Sequence, residues 1–192
     1  MFAPPVSLYS TKPAHFSSTD SSSVLCSDSS TSNNVSTSMP IYVKQVNQAP
    51  YITLTNSSFT AVLDKSTPEP SFSVTDVDHR YNPPAFDSLG QEQLPPLGLI
   101  VTVQSGRISM GAFAGLDLPQ GTGSYDKVRS LRGPINLVNL ALKSMQYVCR
   151  ATEGYVNGSS DSISVLANNN VYSGKGGSLT ATSAILVNIN GA

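Results

Sequence analysis

The stretch Gly133–Val165, GPINLVNLALKSMQYVCRATEGYVNGSSDSISV, decides the fold class. Gly133–Pro134 opens a short helix, because proline tolerates the first helical turn. Ile135, Val138, Leu142 and Met145 recur at helical spacing and form one apolar face, with Leu137 and Leu140 beside it. Tyr147–Val148–Cys149 restores strand character, and Gly154 to Gly158 turns. Asp161–Leu166 then alternates, with Ile163 and Val165 on one face. The rest of the chain reads as strands around this single helix, so the fold class is all-β.

Upstream, Leu97–Val103 is a strand with Leu99, Val101 and Val103 on one face and Ile100 on the other. Ser105–Gly106 reads as a hairpin-like turn answered by Arg107–Gly111. Tyr51–Leu54, Phe59–Leu63 and Ser71–Val74 are further short strands, with a loop from Asp64 to Pro70. His79–Pro96, carrying Pro83, Pro84, Pro95 and Pro96, is a long polar loop, and Ala112–Ser124 is rich in turns. Downstream, Asn168–Gly177 turns and Leu179–Ile189 is the last strand.

The 192 residues hold one domain of ordinary size and a fragment. Charged residues are 12% of the chain and net charge is -1. That is about half the charged share usual in a soluble domain. The densest basic run, Lys127–Arg132, has three basic groups, too few for a phosphate-binding face. This argues against nucleic acid and an anionic membrane surface as partners. No run approaches the roughly 18 apolar residues of a spanning helix. MFAPPVSLYS lacks the charged and apolar regions of a signal peptide, as would an internal piece of a longer exported chain. Cys26 and Cys149 form no CxxC and stand at no zinc-ligand spacing from His15 or His79. The sequence leaves two readings of them: small buried hydrophobes, or a disulfide.

Ser17–Ser38 is dense in Ser and Thr, a composition compatible with a disordered or glycosylated stalk. Apolar runs at Ser23–Cys26 and Met39–Val46 favour strands instead, and Pro50 stops the second. A repeat supports this: DSSSVLCSD (Asp20–Asp28) aligns with DSISVLANN (Asp161–Asn169). Each precedes a turn and a last strand ending in Val46–Asn47 or Ile189–Asn190. Residues 1–46 are therefore expected to be the last strands of a preceding unit, and residues 47–192 a complete unit.

Asp76 and Asp78 follow Ser71–Val74, and two carboxylates two residues apart point the same way if strand geometry persists. Such a pair suits a hard cation; the other reading is a solvated loop with an Asx turn. The stations VNQAP (Val46–Pro50), FSVTDVD (Phe72–Asp78), LIVTVQSGRISMG (Leu99–Gly111), LRG (Leu131–Gly133), VNLALKSMQY (Val138–Tyr147), GSSDSISV (Gly158–Val165) and ILVNIN (Ile185–Asn190) stand in order. Their series resembles the cadherin-like, immunoglobulin-type repeats of very long surface proteins. That resemblance implies a Greek-key β-sandwich of about seven strands with a short crossover helix, joined end to end with adjacent repeats. It also implies calcium at the domain junction, with Asn47, Asp76 and Asp78 as ligands. Gln48 departs from the pattern, standing where an acidic residue is usual.

No GxSxG elbow is present, and His15 and His79 both fall in polar stretches away from any nucleophile pattern. Nothing singles out a glycosidase pair among Glu69, Asp76, Asp78 and Glu92. The chain is therefore read as a non-enzyme. Three sequons, Asn34, Asn56 and Asn157, sit in expected loops and are glycosylation candidates if the chain is exported from a eukaryotic cell. The expected role is a segment of a large extracellular structural or adhesive protein. The rival is a glycan- or protein-binding module using loops 79–96 and 112–124.

Overall fold

The structure, a computed structural model, describes residues 18–27, 34–43, 46–68, 72–78, 85–86, 92–93, 96–170 and 176–191. His15, His79 and most of loop 79–96 lie outside the described residues. The chain divides into two compact units, Met1–Val46 and Asn47–Ala192.

In the first unit, β1 (Ser18–Ser27) pairs antiparallel with β2 (Asn34–Val43), in register from Ser18↔Val43 to Ser27↔Asn34. Asn34 is thus the first residue of a strand and not a loop residue as expected.

The second unit begins with β3 (Tyr51–Leu54) and β4 (Ser58–Val62). A short strand, β5 (Ser66–Pro68), lies inside the expected loop Asp64–Pro70. Next come β6 (Phe72–Thr75) and the two-residue strands β7 (Ala85–Phe86) and β8 (Glu92–Gln93), which pair with each other. The chain continues through β9 (Leu97–Val103), β10 (Arg107–Met110), β11 (Asp117–Gln120, inside the expected turn region) and β12 (Val128–Gly133). The helix α1 (Ile135–Lys143) leads to β13 (Met145–Val148), β14 (Ser160–Asn168) and β15 (Thr180–Asn190).

One layer is a mixed six-stranded sheet ordered β11-β12-β9-β14-β15-β4. Every pairing in it is antiparallel except β4 with β15, which is parallel. Across the core lie β10-β13-β5 and the pair β3-β6. The architecture is an all-β sandwich with one α-helix among the described residues. Period-two alternation builds its core: Leu99, Val101, Ile163, Val165, Ile185 and Val187 from the large sheet meet Phe72, Val74, Ile108 and Tyr147. Burying each large side chain is worth about 1.5–3 kcal/mol, which is why alternation alone locates the inner face.

Two expectations about the decisive stretch are corrected. Leu140 is 53% exposed, so the buried helical stripe is Val138, Ala141 and Leu142. Met145 is buried as a strand residue, because Ser144 ends the helix. The Ser144 hydroxyl donates to the Ala141 carbonyl at 2.8 Å and accepts the Gly111 and Ala112 N–H groups.

The hairpin reading of Ser105–Gly106 is also overturned. β9 is flanked on both sides, by β12 and β14, so no edge remains for β10. Instead the chain turns a corner, and β10 pairs with β13 in the other layer.

The helix does more than plug the core. Asn139 accepts the Val74 N–H and donates to the Val74 carbonyl, both at 2.8 Å. One amide side chain thereby takes the place of a strand neighbour on the side of β6 away from β3. Asn139→Ala leaves both Val74 groups without that partner. The expected loss is about 1–3 kcal/mol, seen as a lower urea midpoint at unchanged slope.

Candidate functional site at the Asn47 end

Asn47 opens the second unit and is almost fully buried, as are Asp76, Asp78 and Asn169. Asn47 and Asn169 interlock: Asn169 Nδ2 donates to Asn47 Oδ1 at 2.8 Å, and Asn47 Nδ2 to Asn169 Oδ1 at 3.3 Å. Asn169 Nδ2 also reaches the Gln48 carbonyl at 2.7 Å, and its Oδ1 accepts the Leu179 N–H at 3.0 Å. Asn47 Nδ2 further donates to the Gly177 carbonyl. The first residue of the unit is thereby bonded to the turn of its last hairpin, between β14 and β15.

The carboxylates sit beside this pair. β6 ends at Thr75, so Asp76 and Asp78 do not continue a strand. Asp76 Oδ1 accepts the Asp78 N–H at 2.9 Å, an Asx-type turn, and Asp78 Oδ2 accepts the Gln48 N–H. Exposures of 7% for Asp76 and 0% for Asp78 show that this turn is not solvated. The structure therefore links the three in series: Asn47's neighbour Gln48 bonds Asp78, and Asp78 bonds Asp76. Calcium takes 6–8 oxygen ligands, and these three side chains supply fewer. One oxygen of each already accepts an N–H. Among the described residues, no cluster of three or more His, Cys, Asp or Glu forms a metal-binding group. Of the sequons, Asn56 and Asn157 are exposed between elements, and Asn157 Oδ1 accepts the Gly191 N–H at 2.7 Å.

Two arrangements were not apparent from the sequence. Asp161, 3% exposed, accepts the Tyr147 and Tyr155 hydroxyls at 2.8 and 2.7 Å. It also accepts the backbone N–H groups of Ser105, Gly106 and Ser162. Burial first, then these bonds, pushes the Tyr155 phenol up to about 12 and that of Tyr147 higher still. Gly106 is required here, because a Cβ would come within 2.5 Å of the Tyr147 ring.

Arg129 is wholly buried on β12, its guanidinium 5.0 Å from the Phe113 ring centre and 4.0 Å from Asp126. None of its three side-chain nitrogens meets a hydrogen-bond acceptor among the described residues. Burial lowers its pKa, with Asp126 acting in the opposite direction. At Asp126, burial pushes the pKa up but is outweighed. The Thr122 and Gly123 N–H groups, the Thr122 hydroxyl and Arg129 bring it below the usual range. The Cys149 thiol is free, buried and raised by that burial, which makes it unreactive. Cys26 lies on β1.

On the outer face of the six-stranded sheet, a groove of about 410 Å³ is lined by Gly98, Ile100, Pro119, Ser130, Arg132 and Leu166, among others. No helix among the described residues is long and apolar enough to cross a membrane.

No family model matches the chain, and no curated protein does. Among solved structures it is similar to the MSCRAMM ACE of Enterococcus faecalis, which binds its ligands by the collagen hug, at 6% identity and a TM-score of 0.35. That likeness covers 90% of this chain and 62% of the other. It is also similar to the N-terminal domain of the Streptococcus gordonii adhesin Sgo0707, at 10% identity and a TM-score of 0.31. There it covers 81% of this chain and 35% of the other.

The Asp161 cluster sets an alkaline limit. Tyrosine in an unfolded chain ionises near pH 10. Above that, the unfolded chain gives up protons that folded Tyr155 holds until about pH 12. The unfolded state then binds fewer protons, so stability falls as pH rises. Melting temperature should drop between about pH 9 and 12, and Tyr155→Phe should make the drop shallower. Equal slopes in calorimetry would overturn this assignment.

Proposed function

We propose that the chain is a segment of a large extracellular structural or adhesive protein built from tandem cadherin-like repeats. Its work is spacing, cell-surface adhesion or filament assembly, and its partners are adjacent repeats of the same chain. The observation that carries this reading is where the chain enters and leaves the second unit. It enters at Asn47, bonded at the β14–β15 turn, and leaves at Asn190, the other end of β15. Modules with entry and exit at opposite ends stack lengthwise. The repeated sequence adds support: Asp20–Asp28 falls mostly on β1 and Asp161–Asn169 mostly on β14, each the first strand of an antiparallel hairpin. The sparse charge and the absence of any assembled nucleophile–base pair among the described residues fit a structural role.

Calcium belongs to this reading. Asp76 and Asp78 are its carboxylate ligands and Asn47 an amide ligand, with further oxygens coming from outside this trio. Its effect is to stiffen the Asn47 junction. On a chain that includes a complete preceding repeat, calcium should raise the melting temperature over that in chelator. Asp78→Asn should abolish the difference, and identical melts with and without calcium would sink the idea. If the chain passes through a eukaryotic secretory pathway, Asn34, Asn56 and Asn157 are its glycan attachment points.

A second reading, a glycan- or protein-binding module using loops 79–96 and 112–124, is favoured by one observation. Phe113, in the second loop, is 37% exposed over the buried Arg129. A glycan array separates the two readings. Binding to a defined glycan that is lost in Phe113→Ala would establish the second, and an array without signal favours the structural reading.

A further inference from the structure

Tension along a chain of modules reaches each module through its first and last residues. In the second unit those points are held by elements of one sheet. β15 has 11 residues. At about 3.3 Å per residue it spans roughly 35 Å. Asn47 is bonded near its beginning, through Gly177 and Leu179-linked Asn169. Its end lies beside Asn157, Gly158 and Leu63, through Gly191, Ile189 and Asn190.

β4 runs parallel to the second half of β15, in register from Leu186↔Ser58 to Asn190↔Val62. The bonds at the two ends of this ladder show its polarity: the Leu186 N–H meets the Ser57 carbonyl at 3.2 Å, and the Leu63 N–H meets the Asn190 carbonyl at 2.9 Å. The chain approaches β4 from the Asn47 side through β3, which is paired with β6 in the other layer and takes the load before β4 does. Pulling residue 47 one way and residue 190 the other draws the two parallel strands past one another along their length. Every ladder bond is then loaded at once. An antiparallel hairpin pulled from its open end gives way one pair at a time.

We propose that the β4–β15 ladder is a shear lock that makes the second unit a force-bearing module, with the Asn47–Asn169 amide pair as a second catch at the entry end. This rests on the reading of the unit as one link of an end-to-end chain. The side chains fit the role. Val187 and Ile189 anchor β15 in the core, and Ala61 does the same for β4. Neither strand can tilt out of the sheet without exposing apolar surface.

The test is single-molecule pulling of the full chain in two geometries, in a Cys26→Ser background with Cys149 shielded by burial. Handles at Ala49→Cys and Asn190→Cys load the ladder in shear. Handles at Ser160→Cys and Asn190→Cys peel the β14–β15 hairpin from its open end, where Ser160 faces Asn188. All three handle positions are exposed. The shear geometry should need a force roughly two- to fivefold higher, since the ladder bonds share the load. It should also release the unit in one step of about 3.3–3.6 Å per residue freed.

Asn188→Pro removes an N–H on the β4 side of β15, in step with that of Leu186, and should lower the shear force while leaving the peeling force nearly unchanged. Thr60→Pro removes an N–H on the side of β4 away from β15, in step with that of Val62, which reaches Thr67 Oγ1. It should affect shear less. Equal forces in the two geometries of the otherwise unaltered chain would overturn the lock, whatever the proline variants do. The force ratio is a property of this unit alone. The tandem reading is tested separately, by whether the longer reading frame carries further repeats.

Discussion

A single buried carboxylate holds the two layers together. Asp161 begins the inner course of β14 in the six-stranded sheet. The Tyr147 hydroxyl it accepts comes from β13 in the opposite layer. The Ser105 and Gly106 N–H groups belong to the corner where the chain passes from β9 to β10. A carboxylate buried without partners would be very costly, whereas one ringed by five donors rigidifies what it touches. The corner, the sheet-to-sheet bridge and the turn before β14 are therefore one structural unit. Gly106 is part of it, since only a residue without Cβ lets the corner lie against the Tyr147 ring.

From that constraint the rest of the sandwich follows. The corner sends β10 across to β13, while β9 pairs with β12 and β14. The large sheet then extends to β15, whose outer side accepts β4 in parallel. On the other layer, β6 pairs with β3 on one side, and Asn139 of the helix bonds its backbone on the other. The helix, first legible as an apolar stripe, thus also satisfies a strand. Polar groups in the interior act at boundaries: Asp161 between layers, Asn139 between helix and strand, Asn47 with Asn169 between the first residue and the last hairpin. Arg129 departs from this pattern. It is buried against Phe113 with no hydrogen bond among the described residues. The Phe113 ring and the nearby Asp126 charge only partly offset its desolvation.

The two ends of the second unit are held in different ways. The entry end gathers amides and carboxylates, and the exit end gathers a parallel ladder. At the first of these ends the Asp76 and Asp78 carboxylates accept backbone N–H groups, those of Asp78 and Gln48.

Alternation of apolar residues was enough to read the strands Tyr51–Leu54, Leu97–Val103 and Asp161–Leu166 and the start of the helix at Pro134. Their inward faces follow from local geometry, because a side chain's side of a strand depends only on its parity. The candidate pair Asp76 and Asp78 could likewise be named from spacing, whereas Asn47 joined them only through the family resemblance. Which strand pairs with which could not. Ser105–Gly106 has the local chemistry of a hairpin, and only the occupied edges of β9 and the distant Asp161 make it a corner. The same holds for Asn169, Asn139 and Arg129, whose residue types fit any loop, helix face or polar strand. Their roles come from partners 122, 65 and 16 positions away: Asn47, Val74 and Phe113. Hydrogen bonds and burial across such separations exist only once the sheets have closed on each other.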